Sequence, residues 1–196
     1  MDPRCVAPGK KNARRRQAWI VFEDESGFSL IPSVRSTWAP RGRTPVLHHR
    51  FGWKRVSAAG LVAYRHDGGR ARLMVHTIPG AYNDELLMAV LDDLRRSLRG
   101  AKATLLWDGL PSHRSRRMAD FIARQRCWLV VQRLPAYAPE LNPVEGLWSS
   151  LKGRELANRC DDTIAEVVEA ADAGIQRIRS SQQLLFAFLD KTGLSF

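Results

Sequence analysis

Ala18-Trp-Ile-Val-Phe-Glu-Asp24 is an apolar run closed by an acid. Its β-branched and aromatic residues read as a first strand from about Trp19 to Asp24. A second run of the same kind, Ala103-Thr-Leu-Leu-Trp-Asp108, also closes on an acid and reads as a buried strand. A carboxylate at the C-terminal end of an apolar strand is costly unless it is paired or metal-bound. A third acid lies in Leu134-Pro-Ala-Tyr-Ala-Pro-Glu-Leu-Asn-Pro-Val-Glu-Gly-Leu-Trp148. There Asn142 suits an N-cap, Pro143 the first helical position and Glu145 the third. Taken alone, the segment reads equally well as a capping box in which Glu145 bonds back to the Asn142 backbone. Two strand-terminal acids and a helix-N-terminal Glu together make a set of oxygen ligands for a hard cation.

Outward from these three segments the chain alternates. Residues 1–17 are polar and basic, with Lys10, Lys11, Arg14, Arg15 and Arg16, and read as a flexible arm or linker remnant. Ser26-Gly27 signals a turn, so Phe28–Val34 reads as a second strand, and Trp38–Val46, with Pro40, Gly42 and Pro45, as a loop or irregular hairpin. Val56–Tyr64 and Ala71–Ile78 flank Asp67-Gly68-Gly69, a strong hairpin signal. Asn83 caps an amphipathic helix to about Arg99, striped by Leu86, Leu87, Val90, Leu91, Leu94 and Leu98 and stopped by Gly100. Ser112 is placed to cap a second helix to Gln125, followed by a strand over Trp128–Gln132. A third helix runs from Pro143 to about Leu156, and residues 162–178 and 181–189 read as further helices. Leading strands followed by alternating helix and strand imply an α/β mixed sheet flanked by helices.

Four pieces carry a resemblance: Phe22-Glu-Asp-Glu-Ser-Gly-Phe28, Arg35 with Trp38-Ala-Pro-Arg-Gly42, Leu106-Trp-Asp-Gly-Leu-Pro-Ser-His113, and Pro135–Trp148. In these the chain resembles the catalytic domain of DDE transposases, in the bacterial insertion-sequence branch of the mariner-like superfamily. The resemblance implies a ribonuclease-H-like fold with strand order β-β-β-α-β-α-β-α and a C-terminal helical extension. The chain then divides into a basic arm (1–17), a catalytic domain (18–158) and the helical extension (159–196). It implies that the strands ending in Asp24 and Asp108 lie side by side, with the third helix bringing Glu145 against them. It also implies that Asp24, Asp108 and Glu145 are the catalytic triad and metal ligands. Asp108 and Glu145 have 36 residues between them, close to the short spacing of this branch. Two departures stand out: Gly109 where relatives place Asn, and Glu140, a rival third ligand, where they often place Asp.

In function the resemblance implies a DNA transposase that cleaves strands and transfers a 3′-hydroxyl, using two Mg²⁺ ions replaceable by Mn²⁺. Asp24 would bridge both ions, with Asp108 on one and Glu145 on the other. The expected partners are double-stranded DNA (transposon ends and target), a second copy in a homodimer, and a separate upstream helix-turn-helix product, because only 18 residues precede the first strand. That short lead reads as the second product of a split frame or as a truncated copy. The competing readings are a ribonuclease-H-like nuclease without strand transfer and an inactive basic DNA-binding remnant of a mobile element.

Other residues have two readings each. Glu23 and Glu25 flank Asp24 but point to the opposite face of the strand. They read as structural or substrate-side charges, with contact between Glu25 and the metal shell as the second reading. His113 reads as a contact to DNA phosphate or the leaving group, or as a packed or capping histidine. Lys152, two turns beyond Glu145, reads as a phosphate contact or a solvated side chain, and Arg114, Arg116 and Arg117 as a basic DNA-facing cluster. Trp107, Trp128 and Trp148 read as core.

Composition sets the outer bounds. The 196 residues carry a net charge of +11. Residues 1–154 hold 27 Lys/Arg against 13 Asp/Glu, and residues 155–196 hold 4 against 7. A polyanion-binding face therefore belongs to the first three-quarters. No apolar run reaches the ~18 residues that would span a bilayer, and the start lacks a signal peptide's apolar core. Cys5, Cys127 and Cys160, an odd set without CxxC spacing, argue against both a disulfide framework and a zinc site. These features point to a cytoplasmic, nucleoid-associated protein. GxxxxGK(S/T), GxGxxG, HExxH and GxSxG are all missing, which removes nucleotide-binding, zincin and esterase readings.

Overall fold

A computed structural model describes residues 7–49, 52–135 and 138–194. Five strands form one sheet: β1 (Trp19–Ser29), β2 (Arg55–Tyr64), β3 (Ala71–Pro79), β4 (Ala103–Trp107) and β5 (Leu129–Arg133). Their spatial order is β3-β2-β1-β4-β5. β2 is antiparallel to β1 and β3, whereas β4 is parallel to β1 and β5. Helices α1 (Ala7–Arg16), α2 (Asp84–Ser97), α3 (Arg116–Arg124), α4 (Val144–Gly153), α5 (Ile164–Arg179) and α6 (Gln182–Lys191) flank it. After α1, this is the expected β-β-β-α-β-α-β-α order with a helical C-terminal part.

The pleat of β1 sorts its side chains between two cores. Ile20, Phe22 and Phe28 join Leu147, Trp148, Leu151, Ile175 and Leu185, and so face α4, α5 and α6. Val21 joins Leu87, Leu91, Leu94, Leu105, Trp107 and Met118 on the side of α2 and α3. The buried Tyr64 pins the first layer, its hydroxyl donating to the Leu185 carbonyl at 2.7 Å. Asn83 caps α2 as expected, accepting from the Leu86 amide at 2.9 Å. Among the described residues, no helix is long and apolar enough to cross a membrane.

Five sequence expectations are corrected. Ser26-Gly27 is not a turn: β1 runs through it, with Ser26 opposite Ala58 and Gly27 opposite Ser57. Ladder pairing and the burial of Phe28 outweigh the local turn preference. Phe28–Val34 is therefore not a strand of its own, and past Ser29 only Ser33 makes an isolated bridge, to Ala157. The flexible-arm reading of residues 1–17 also changes from Ala7 on, because Ala7–Arg16 is helical and Ala13 is buried, while residues 1–6 lie outside the described residues. Gln17, in the left-handed region at φ 54°, ends this helix with Ala18 N–H bonded to the Ala13 carbonyl at 2.9 Å. Ser112 sits in a short 3₁₀ turn (Pro111–Arg114); Ser115 is the cap of α3, accepting from Met118 N–H at 3.1 Å. Finally, α4 stops at Gly153 rather than Leu156. Cys127 and Cys160 are free and exposed, and Cys5 lies outside the described residues.

Candidate active site

The parallel pairing of β1 with β4 sets Phe22 beside Leu106, so both strands run out at the same edge. Asp24 lies two residues beyond Phe22, and Asp108 directly follows Trp107 at the end of β4. Glu145 lies in the first turn of α4. All three line one cavity of about 610 Å³, together with Gly109, Arg114, Leu134 and Asn142.

Asn142 is what brings the start of α4 to β1. It is 5% exposed, its amide donates to the Glu23 carbonyl at 3.2 Å, and its side-chain oxygen accepts from Val144 N–H at 3.1 Å. Its own backbone N–H is bonded to the Pro139 carbonyl at 2.9 Å, so the capping box is not closed by Glu145. That leaves the Glu145 carboxylate facing the cavity. Glu140, the rival, is exposed in the short turn Pro139–Leu141 and does not line the cavity.

Asp24 is the most constrained acid of the three. Trp148 donates its indole N–H to Asp24 Oδ2 at 2.9 Å. The indole can reach there because β2 has Gly60 opposite Asp24; a Cβ at Gly60 would meet the Trp148 ring at 2.8 Å. Trp148 is thus core and site at once, and nothing in its helical spacing announces the second role. Burial raises the Asp24 carboxyl to about 7; the Trp148 bond opposes the rise, and the charges of Glu145, Glu25 and Asp108 add to it. Asp108 accepts from Leu110 N–H at 3.0 Å, and its Oδ1 lies 2.9 Å from His113 Nδ1.

His113 is buried, its ring stacked on Trp107 at 4.1 Å, so the packed-histidine reading replaces the contact to DNA or leaving group. Burial works against its charged form, but the Glu25 hydrogen bond and the charges of Glu25 and Asp108 outweigh that and raise its pKa. Its Nε2 lies 3.3 Å from Glu25 Oε1 and 3.7 Å from Glu23 Oε2. Glu23 is 1% exposed, and burial, with Glu25, Asp24 and Asp108 nearby, pushes its carboxyl well up. The alternation of β1 shows in the sequence that Glu23 and Glu25 face away from Asp24. It does not show that a histidine 88 residues later lies between them.

Lys152 is not at this cavity. Its ammonium donates to Ser26 Oγ at 2.7 Å, and it lines a second cavity of about 220 Å³ with Leu156 and Arg159. Arg114 is at the rim of the acidic cavity, Arg116 is exposed, and Arg117 pairs with Glu85 on the surface.

Comparison with known proteins places this geometry. The Tcb1 transposase of a transposable element of Caenorhabditis briggsae is 25% identical over 153 residues, 71% of this chain and 53% of that protein. An uncharacterised 39 kDa protein of insertion element IS630 from Shigella sonnei is 25% identical over 138 residues, covering 67% of this chain and 37% of that protein. The chain thus spans about half or less of the curated relatives it matches. In fold it is similar to the Mos1 transposase paired-end complex with the left transposon end, at TM-score 0.68 and 17% identity over 98% of this chain and 60% of that one. The catalytic domain of Mos1 mariner transposase matches at TM-score 0.55 and 16% identity, over 100% of this chain and 97% of that one. These likenesses support the ribonuclease-H-like reading of the sheet. The model of the DDE superfamily endonuclease family matches residues 19–167, most of the chain and all three cavity acids, and the protein belongs to that family.

Proposed function

We propose that this chain is the metal-dependent catalytic domain of a DNA transposase, one that cleaves DNA strands and transfers the freed 3′-hydroxyl to target DNA. The observation that carries this reading is the convergence of Asp24, Asp108 and Glu145 on one cavity at the edge where β1 and β4 end. The residues fit divalent ions. All three offer carboxylate oxygens, and the Asp24 carboxyl, raised first by burial and further by the charges of Glu145, Glu25 and Asp108, is one whose ionised form a cation would stabilise. Bound there, Mg²⁺ or Mn²⁺ supplies a Lewis acid for the phosphoryl oxygens and an activated oxygen nucleophile.

The chain's own residues hold and shape that site. Trp148 fixes one Asp24 oxygen, Leu110 N–H and His113 orient Asp108, and Asn142 ties the Glu145 turn to β1. Arg114 stands at the rim, where a guanidinium suits a phosphate approaching the acids. The excess of Lys/Arg over residues 1–154 would contact the duplex through its phosphates. A second copy and an upstream helix-turn-helix product belong to the same proposal.

The test is product analysis. The chain is incubated with Mn²⁺, a duplex bearing the element end, and a target plasmid. The reading expects metal-dependent strand cuts and end–target joints, both lost in Asp24→Asn. Cuts without joints would assign a nuclease. No metal-dependent cutting in any buffer would leave the inactive DNA-binding remnant.

A further inference from the structure

Behind the acidic cavity, on the other face of β1, Glu23, Glu25 and His113 turn one ligand atom each toward a common point, all within 4.8 Å of one another. The pocket is closed: the side chains are 1%, 14% and 0% exposed. A histidine between two glutamates could be a simple ion-pair cluster, but the hydrogen-bond accounting does not close. The imidazole Nε2 carries at most one proton and serves one oxygen, Glu25 Oε1 at 3.3 Å. Both oxygens of Glu23 and the second oxygen of Glu25 are buried and have no hydrogen-bond partner. Three unpartnered buried carboxylate oxygens around one imidazole are strongly disfavoured unless something else lies among them.

We propose that Glu23, Glu25 and His113 form a second, structural cation site for a first-row transition ion, Zn²⁺ foremost. Ligands held ~2.1 Å from a tetrahedral ion stand about 3.4 Å apart. His113 Nε2 lies 3.3 Å from the Glu25 oxygen and 3.7 Å from the Glu23 oxygen. A cation with open positions serves both carboxylates together, which one N–H cannot. The other ring nitrogen is already in the arrangement that metal-bound histidines adopt. His113 Nδ1 faces Asp108 Oδ1 at 2.9 Å and the Asp108 carbonyl at 3.3 Å, so with an ion bound Nδ1 would keep the proton and Nε2 would give up its own to ligate. The cysteine spacing argues against a thiolate zinc site, and this donor set contains no thiol. Its imidazole also separates it from the all-oxygen cavity on the opposite face, which suits Mg²⁺. The site stands whether or not the transposase reading holds.

Calorimetric titration of the chelator-stripped chain with Zn²⁺, in excess Mg²⁺ to occupy the all-oxygen cavity, decides this. One equivalent should bind in the wild type and in Asp24→Asn. Affinity should fall at least ~10-fold in Glu25→Gln and His113→Gln. Co²⁺ in place of Zn²⁺ should give the intense visible bands of a low-coordinate site with a nitrogen ligand, retained in Asp24→Asn. If His113→Gln fails to fold, the partly exposed Glu25→Gln and the wild-type cobalt spectrum still decide. Loss of Zn²⁺ binding in Asp24→Asn with none in Glu25→Gln would put the ion among the cavity acids and overturn the site. So would the absence of any uptake against Mg²⁺.

Discussion

Glu23 and Asp24 are adjacent in sequence, yet Asp24 opens into a cavity shared with Asp108 and Glu145, whereas Glu23 is sealed at 1% exposure behind the sheet. Both carboxyls are raised first by burial. The difference lies in what answers them. Asp24 has an indole donor and room for solvent, ion or substrate; Glu23 has neither a donor nor an opening. A period-two strand at the middle of a sheet can thus carry two acidic centres back to back, one built for exchange and one for permanence. Asp108 and His113 are the bridge between them.

The contrast breaks most sharply at Glu145. Glu145→Gln should abolish Mn²⁺-dependent nicking, a loss beyond the ~10–100-fold typical of an outer partner, while Glu140→Gln cuts normally. Glutamine preserves any capping role, so unchanged melting with lost cleavage separates ligand from cap. Normal cutting by Glu145→Gln would return that residue to a structural role.

Next in size is a pH effect. The fold raises Asp24 from its ordinary value of 3.8 to about 7, so it favours the protonated form. The associated stability is complete below about pH 3.8 and disappears as pH climbs through about 7, a penalty of at most on the order of 4 kcal/mol. In chelator, wild type should therefore lose stability relative to Asp24→Asn between pH 4 and 8. A constant difference across that range would mean Asp24 is not held as described. Adding Mn²⁺ at ~100 times its dissociation constant should return about 2.7 kcal/mol to the wild type and much less to the variant.

Gly60→Ala tests the packing side of the same centre. Its Cβ would press on the Trp148 ring at 2.8 Å and prise the indole from Asp24, at a cost of about 1–3 kcal/mol in melting experiments. An unchanged melting temperature would show that the ring has another place to go. The smallest effect is on DNA discrimination. At ~150 mM salt an element-end duplex and a scrambled one should bind within a few-fold, against the ~10³-fold or more of specific recognition, because phosphate contacts by Arg114 and its neighbours carry no sequence information. A thousand-fold preference would reveal base readout in this chain.

Much of this was legible in the residues. Ala103–Trp107 reads as a buried strand from its composition alone, and Asn83 marks its helix because an N-cap is a local device. The three acids are visible as strand ends and a helix start. What the sequence hides is long-range. The passage of β1 through Ser26-Gly27 depends on pairing with β2, about 30 residues away. The Glu23–Glu25–His113 cluster joins residues 88 apart, and Lys152 finds Ser26 across 126 positions. Local patterns carry which face a side chain takes; they do not carry what waits on that face.

Asn158 has a consequence for how this fold varies. Held at φ 55°, it answers both backbone groups of Arg35, accepting from its N–H at 2.8 Å and donating to its carbonyl at 3.0 Å, while its own N–H reaches Ser33. On the far side, Leu30 N–H meets the Lys54 carbonyl at 3.4 Å. The chain between Arg35 and Lys54 is therefore pinned at both ends, to the segment after α4 at Arg35 and to Leu30 beside β1 at Lys54. Doubling a flexible connection between fixed ends costs only about 0.6 kcal/mol. Lengthening the exposed stretch Trp38–Pro45 should accordingly cost the fold little, which melting of an insertion variant checks.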